Sequence, residues 1–383
     1  VYNDEHGAFG DDLERFAFLS KGSIEVCRYL GFEPDVIHVN DWPTALVPVY
    51  LDTIDRYTPM GRAATVLTIH NMGYQGWFPR SELPRTGLGW DSRALPSLDM
   101  HGRLNLLKAA LVHATIVSTV SPRYAREIQT ADGGEGLDHL VRMRGSDVVG
   151  ILNGIDDAAW NPESDPFTAA PFSFRDLSGK AACKAALQRE LGLPERSDVP
   201  LVGMVSRLVG QKGIDLVSEA LGPLLGMDLQ MVVLGSGESW AEAAFTSAAH
   251  GSDRFRAWIG VSEGLAHRIE AGCDLFLMPS RYEPCGLNQM YSQRYGTLPI
   301  VRAVGGLDDT VEHGVTGFKF EPASADVLVD VVRHACDVYQ WDHGRFHAMQ
   351  VRSMQKQMGW GYAARQYEAL YRLAMGRRRS SLA

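Results

Sequence analysis

Leu201-Val202-Gly203-Met204-Val205-Ser206-Arg207-Leu208-Val209-Gly210-Gln211-Lys212-Gly213-Ile214 is the stretch on which the fold turns. An apolar run reads as a buried strand, a polar loop with two cations follows, and a helix starts near Ile214. The same order recurs along the chain. In the first half, runs over 35–39, 64–69, 115–120 and 148–152 end in Asn40 and Asp41, in His70 and Asn71, in Ser121 and in Asn153. In the second half, runs over 229–234, 275–278 and 298–301 end in Gly235 and Gly237, in Pro279 and Ser280, and shortly before Gly305 and Gly306. Apolar strands alternating with helical patterns predict parallel sheets of βαβ units, an α/β protein of doubly wound domains. Ligands of such sheets sit at the carboxyl ends of the strands, so these polar residues are the site candidates.

The 383 residues fit two domains at about 150 residues each. Several prolines between Pro162 and Val199 read as a connection. We therefore place a first domain at 1–195, a second at 196–355 and a final helix at 356–383, with Ala363, Tyr367, Leu370, Tyr371 and Ala374 on one face. Arg377, Arg378 and Arg379 read as a solvated tail. The chain runs at once into a helix over 13–30 with no leading strand or glycine-rich turn, so the first domain is expected to be N-terminally truncated. With 45% hydrophobic and 22% charged residues a core can form. Net charge is −9, which argues against nucleic acid or an anionic membrane as partner. Five scattered cysteines without a C-x-x-C pair point away from disulfides and zinc, toward a reducing, cytoplasmic setting.

Arg207 can fork two oxygens while Lys212 supplies a point charge, a pair suited to a diphosphate; by spacing alone, ordinary solvated charges of a surface loop are the favoured reading. Met278-Pro279-Ser280-Arg281-Tyr282-Glu283-Pro284-Cys285-Gly286-Leu287-Asn288-Gln289 says more. It puts Glu283 beside a helix start whose amides at Gly286, Leu287 and Asn288 suit an anion. A carboxylate there must face another part of the ligand, such as sugar hydroxyls, or simply compensate the helix dipole. Cys285 has no His or Asn partner in sequence and reads as a packed small residue. His70 ends a strand and is followed by Gly73 and Gly76, and Asn40-Asp41-Trp42 repeats the arrangement. No complete G-x-G-x-x-G occurs, which removes the nicotinamide fingerprint.

Together these motifs resemble the bacterial glycogen synthase and starch synthase family. The matching stretches are His38 to Trp42, Thr68 to Asn71 with Tyr74 to Gly76, Val120 to Ala125, Ile151 to Asp156 with Trp160 to Pro162, Ser206 to Leu208 with Gln211 to Gly213, His267 to Gly272, Pro279 to Tyr291 and Arg294 to Thr297. The resemblance implies the glycosyltransferase-B fold, two Rossmann-like domains facing across a cleft, with the last helix returning to the first. It implies transfer of glucose from ADP-glucose to the non-reducing end of an α-1,4-glucan with retention, and no cofactor or metal. Arg207 and Lys212 would neutralise the diphosphate, helped by Gly286, Leu287 and Asn288. Glu283 would hold glucose hydroxyls, His70 and Asn153 would position the sugar, Asp41 would shape that side, and Cys285 and Tyr291 would contact substrate. Tyr291 stands where many retaining relatives carry a second Glu, a change glycogen synthases tolerate. The family's opening lysine and glycine-rich loop has no counterpart before Tyr2, at positions that lie outside the residues described below. The rival readings are a catalytically impaired glucan-binding or regulatory fragment of the same fold, and a phosphorylase or epimerase on it.

Overall fold

The computed structural model describes residues 3–4, 7–90 and 92–382. The chain divides into two compact units, one of residues 1–152 with 363–383 and one of residues 153–362.

In the first unit a short hairpin, β1 (Asn3–Asp4) with β2 (Gly7–Ala8), precedes the helix Asp12–Tyr29. The main sheet is parallel, in the order β3 (Val36–Asn40), β4 (Ala64–Ile69), β8 (Ile116–Thr119), β9 (Val148–Gly150). Between β4 and β8 lies a small antiparallel sheet of β5 (Trp77–Pro79), β6 (Asp99–Met100) and β7 (Arg103–Asn105). The sequence reading did not anticipate it, because its strands are too short to show alternation. Ala363, Leu370 and Ala374 of the helix Trp360–Leu382 bury themselves against Ala64, Val66, Ile116 and Ile151. The closing arginines are not a free tail. Arg377 pairs with Asp147 at 3.1 Å and Arg378 donates to Gly61 O, so helix and charge continue together almost to the end of the chain.

The second unit carries six parallel strands in the order β12 (Phe255–Ile259), β11 (Gln230–Gly235), β10 (Leu201–Val205), β13 (Leu275–Met278), β14 (Leu298–Arg302), β15 (Phe318–Phe320). Chain order therefore reverses between β10 and β13, the switch point at which a doubly wound sheet opens a crevice for ligand. Strands β12 and β15 escaped the sequence reading. The first runs from buried Phe255 to exposed Trp258 and Ile259 along a sheet edge, without alternation, and the second is three residues long.

The domain boundary also moves, from 195/196 to 152/153. The segment expected to be a connection contains the helix Ser178–Glu190, and its inner face is tied to the second unit. Lys184 Nζ donates to Asp274 at 2.7 Å and to Val199 O at 2.6 Å, while Leu187 and Leu193 pack with Ile269 and Cys273. A buried ion pair and an apolar face outweigh the prolines around them.

Candidate functional site

In the second unit, the loops after β10 and β13 meet at the switch point. Gly213 ends the first loop with φ +70°, and a Cβ there would lie 2.2 Å from Pro279 O, so only glycine allows the approach. The amide of Arg281 donates to Gln211 O at 2.8 Å and Gln211 Nε2 donates to Tyr282 O at 3.2 Å, fastening one loop to the other. This places Lys212 Nζ 2.5 Å from Glu283 Oε2, which also accepts from Ser280 Oγ at 3.1 Å. Glu283 is buried and Lys212 half-buried, whereas Arg207 is exposed and donates to Gln211 Oε1 at 3.3 Å.

Behind Glu283 stands a second close-packed glycine, in the Gly305-Gly306 pair that follows β14. Gly305 has φ +43°, and a Cβ on it would come within 1.9 Å of Glu283 O, while the next amide, Gly306 N, donates to that same oxygen at 3.1 Å. The Gly-Gly pair is thus a socket for the Glu283 loop.

Arg207, Lys212, Ser280, Glu283, Gly286 and Asn288 line a cavity of about 230 Å³. A second cavity of about 300 Å³ shares Val205, Ser206, Arg207 and Asn288 with it and is walled by Leu234, Gly235 and residues 260–263. Asn288 Nδ2 donates to Val205 O at 2.7 Å, which fixes the partition between the two. The pair of cavities suits a ligand with an anionic centre, a polar end and a flatter, less polar end.

Two expected contacts lie outside these walls. Cys285 is buried, burial pushes its thiol up to about 12, and its sulfur accepts from the Asn153 amide. It packs; it does not attack. Tyr291 stacks on Trp160 at 3.8 Å, and the other face of Trp160 stacks on His267 at 3.7 Å. Asp165 Oδ2 anchors that sandwich through His267 Nδ1 at 2.8 Å and Tyr295 OH at 2.5 Å. Asn153, expected to act from the first domain, belongs to the second unit.

In the first unit the site candidates stand at the ends of β3 and β4. His70 Nε2 lies 2.9 Å from Asn40 Oδ1, a partner the sequence reading did not assign. Asp41 has φ +53°, a conformation costly for a residue with a Cβ. Its carboxylate accepts from the amides of His70, at 2.7 Å, and Asn71. Those bonds offset the backbone strain and clamp the two strand ends together. Burial raises the Asp41 carboxyl pKa, and the His70 ring and the two amides counter it only in part.

Residues 1–143 match the starch synthase catalytic domain, and residues 190–338 match the group 1 glycosyl transferases. The glycogen synthase of Anaeromyxobacter sp. (strain Fw109-5) is 52% identical over 379 residues, covering 97% of this chain and 79% of that protein. The chain belongs to the glycogen synthase family. Glycogen synthase 1 of Geobacter metallireducens is 49% identical over 389 residues, covering 99% of this chain and 77% of its own. Among solved structures, the catalytic domain of starch synthase IV from Arabidopsis thaliana, bound to ADP and acarbose, superposes with a TM-score of 0.89 at 36% identity, over 96% of this chain and 78% of that one. A sucrose-phosphate synthase from Thermosynechococcus elongatus, with a TM-score of 0.60 at 19% identity over 95% of this chain and 80% of that one, shares the fold alone. As in other glycogen synthases, that fold is glycosyltransferase-B, and the protein is a hexosyltransferase.

Proposed function

We propose that this glycogen synthase takes glucose from ADP-glucose and adds it, with retention, to the non-reducing end of an α-1,4-glucan. The observation that carries the reading is the Lys212–Glu283 pair at the β10/β13 switch point with Arg207 beside it. The smaller cavity would take the diphosphate and glucose, and the larger one the nucleoside. Negative charge on the diphosphate grows as the glycosidic bond breaks. Lys212 is held in place by Glu283 before that charge develops and Arg207 stands at the same cavity, so the two cations would stabilise the transition state more than the ground state. Glu283 would orient glucose hydroxyls and favour the positive anomeric centre, with Gly286, Leu287 and Asn288 offering amides to the phosphates. In the first unit, His70 would act on the sugar, and Asp41 and Asn40 would set its place. None of the described helices is long and apolar enough to cross a membrane. With a net charge of −9, the protein would meet neutral glucan in the cytoplasm without nucleic acid or lipid as partner.

The test is radiolabelled glucose offered as ADP-glucose or UDP-glucose with glycogen as acceptor, in EDTA. Incorporation into α-1,4 linkages from ADP-glucose, undiminished by the chelator, is the expected result. Glycogen binding without incorporation would favour the glucan-binding reading instead.

A further inference from the structure

Along β4 the side chains of Ala64, Val66 and Thr68 share one face of the sheet, and His70 follows just past the strand end. Val36, His38 and Asn40 share that face on β3, and Ile116 and Ser118 on β8, with Asn40 opposite Thr68 and Thr68 opposite Ser118. Side chains on β3 reach diagonally to the residue two further along β4 than their register partner, so the face reads as three successive diagonal rows. The first is apolar and lies under the helix Trp360–Leu382. The third is the Asn40–His70 pair.

The second row is a continuous hydrogen-bond chain. Tyr371 OH of the last helix lies 2.8 Å from His38 Nδ1, His38 Nε2 lies 2.6 Å from Thr68 Oγ1, and Thr68 Oγ1 lies 2.6 Å from Ser118 Oγ. Ser118 Oγ donates to Leu67 O at 3.5 Å. With a carbonyl accepting at that end, Thr68 donates to Ser118, His38 donates from Nε2 to Thr68, and Nδ1 accepts from Tyr371. Every polar atom of the row then has a partner with His38 neutral. Burial, with His70 nearby, also lowers the His38 pKa and so keeps it neutral.

We propose that His38 and Tyr371 are positioning residues for His70, through which the last helix sets the sugar-side end of β3 and β4. The proposal rests on the reading of His70 as a residue of glucosyl transfer. His38 fixes the height of Thr68 and of its own strand. Asn40 and His70 are the next side chains on the same face of the same two strands; Thr44 Oγ1 and the Asp41 carboxylate hold their backbones, while this row lies directly before their side chains. A small displacement of a reacting group costs turnover far more than it costs binding.

Three variants test it. Tyr371→Phe removes the donor to Nδ1, His38→Asn keeps an acceptor for Tyr371 but loses Thr68, and His38→Gln keeps a donor toward Thr68 but loses Tyr371. The expected result is a kcat reduced about tenfold in Tyr371→Phe and His38→Asn, with the KM for ADP-glucose within about twofold. His38→Gln should recover part of the loss, since contact with Thr68 is what transmits position. In parallel, nitrogen-15 NMR should show the Nε2–H tautomer at His38 and a shift of the His70 ring signals in Tyr371→Phe. Wild-type kcat in both Tyr371→Phe and His38→Asn, equal losses in the two His38 variants, or unmoved His70 signals would overturn the proposal. If the wild-type protein transfers no glucose, the functional reading fails, and the NMR comparison still decides whether Tyr371 positions His70.

Discussion

The two units hold their candidate residues by different means. In the second, backbone meets backbone: Gly213 against Pro279 O and Gly305 against Glu283 O bring two loops so close that Lys212 and Glu283 pair. In the first, side chains do the holding: Asp41 clamps the amides after β4, and Asn40 meets the His70 ring. Charge placed by glycine packing is rigid and depends on the absence of a methyl group. An imidazole placed by polar side chains depends on each of those bonds.

Removing the charge itself should have the largest effect. Lys212→Ala is expected to lower turnover about 10²- to 10³-fold, as for one preorganised electrostatic group, and to affect ADP binding less. It also leaves the buried Glu283 carboxylate without its cation, so thermal unfolding should shift downward too. Steady-state rates and a melting curve on one preparation check both. A variant that lost ADP binding in full proportion to turnover would show Lys212 acting in the ground state.

The contrast between backbone and side-chain support is sharpened by Gly305→Ala and Asp41→Ala. The added methyl cannot fit beside Glu283 O, so the Glu283 loop must move, and about 10- to 10²-fold of turnover should go with it. Asp41→Ala loses two amide partners and keeps a strained φ, for a destabilisation of about 1–3 kcal/mol. Asp41→Asn should largely restore stability, because Asn matches Asp in size and still offers an acceptor oxygen to the two amides. Equal damage from Asn and Ala would break the comparison.

A smaller effect lies behind the second unit's site. Glu270 is buried, accepts from Ser292 Oγ at 2.6 Å, and burial pushes its carboxyl up from the ordinary 4.5 to about 8. Between those values the folded chain keeps a proton that the unfolded chain has released, so stability contributed here falls as pH rises through that window. Buried Lys180, pulled down to about 8, acts with the opposite sign above that pH. Glu270→Gln keeps an acceptor and cannot ionise. Its melting temperature relative to wild type should therefore climb from pH 5 to pH 8, and a flat difference would place Glu270 in contact with solvent.

Much of this was legible in the sequence. Strands β4, β10 and β13 begin and end where apolar runs meet polar residues, and the loops after β10 and β13 carry the cations and the carboxylate. What was not legible depends on partners far away in the chain. The Ser178–Glu190 helix declares its unit only through Asp274, and Tyr291 its stacking role only through Trp160. Asn40 is legible as a strand-end candidate, but its contact with the His70 ring arises only when β3 and β4 lie side by side. Gly305 and Gly306 looked like any loop glycines, because close approach to Glu283 O is a property of folded backbone.

The Lys212–Glu283 pair is the centre of the account, and Glu283→Gln tests it most directly. The substitution keeps size and an acceptor oxygen but frees Lys212 from its counter-charge. Turnover of ADP-glucose and ADP affinity by calorimetry should be measured on wild type and variant together. The account predicts turnover lowered by at least about tenfold with ADP bound as tightly as before or more tightly. Wild-type turnover, or abolished ADP binding, would contradict the placement of Glu283 on the sugar side of the diphosphate.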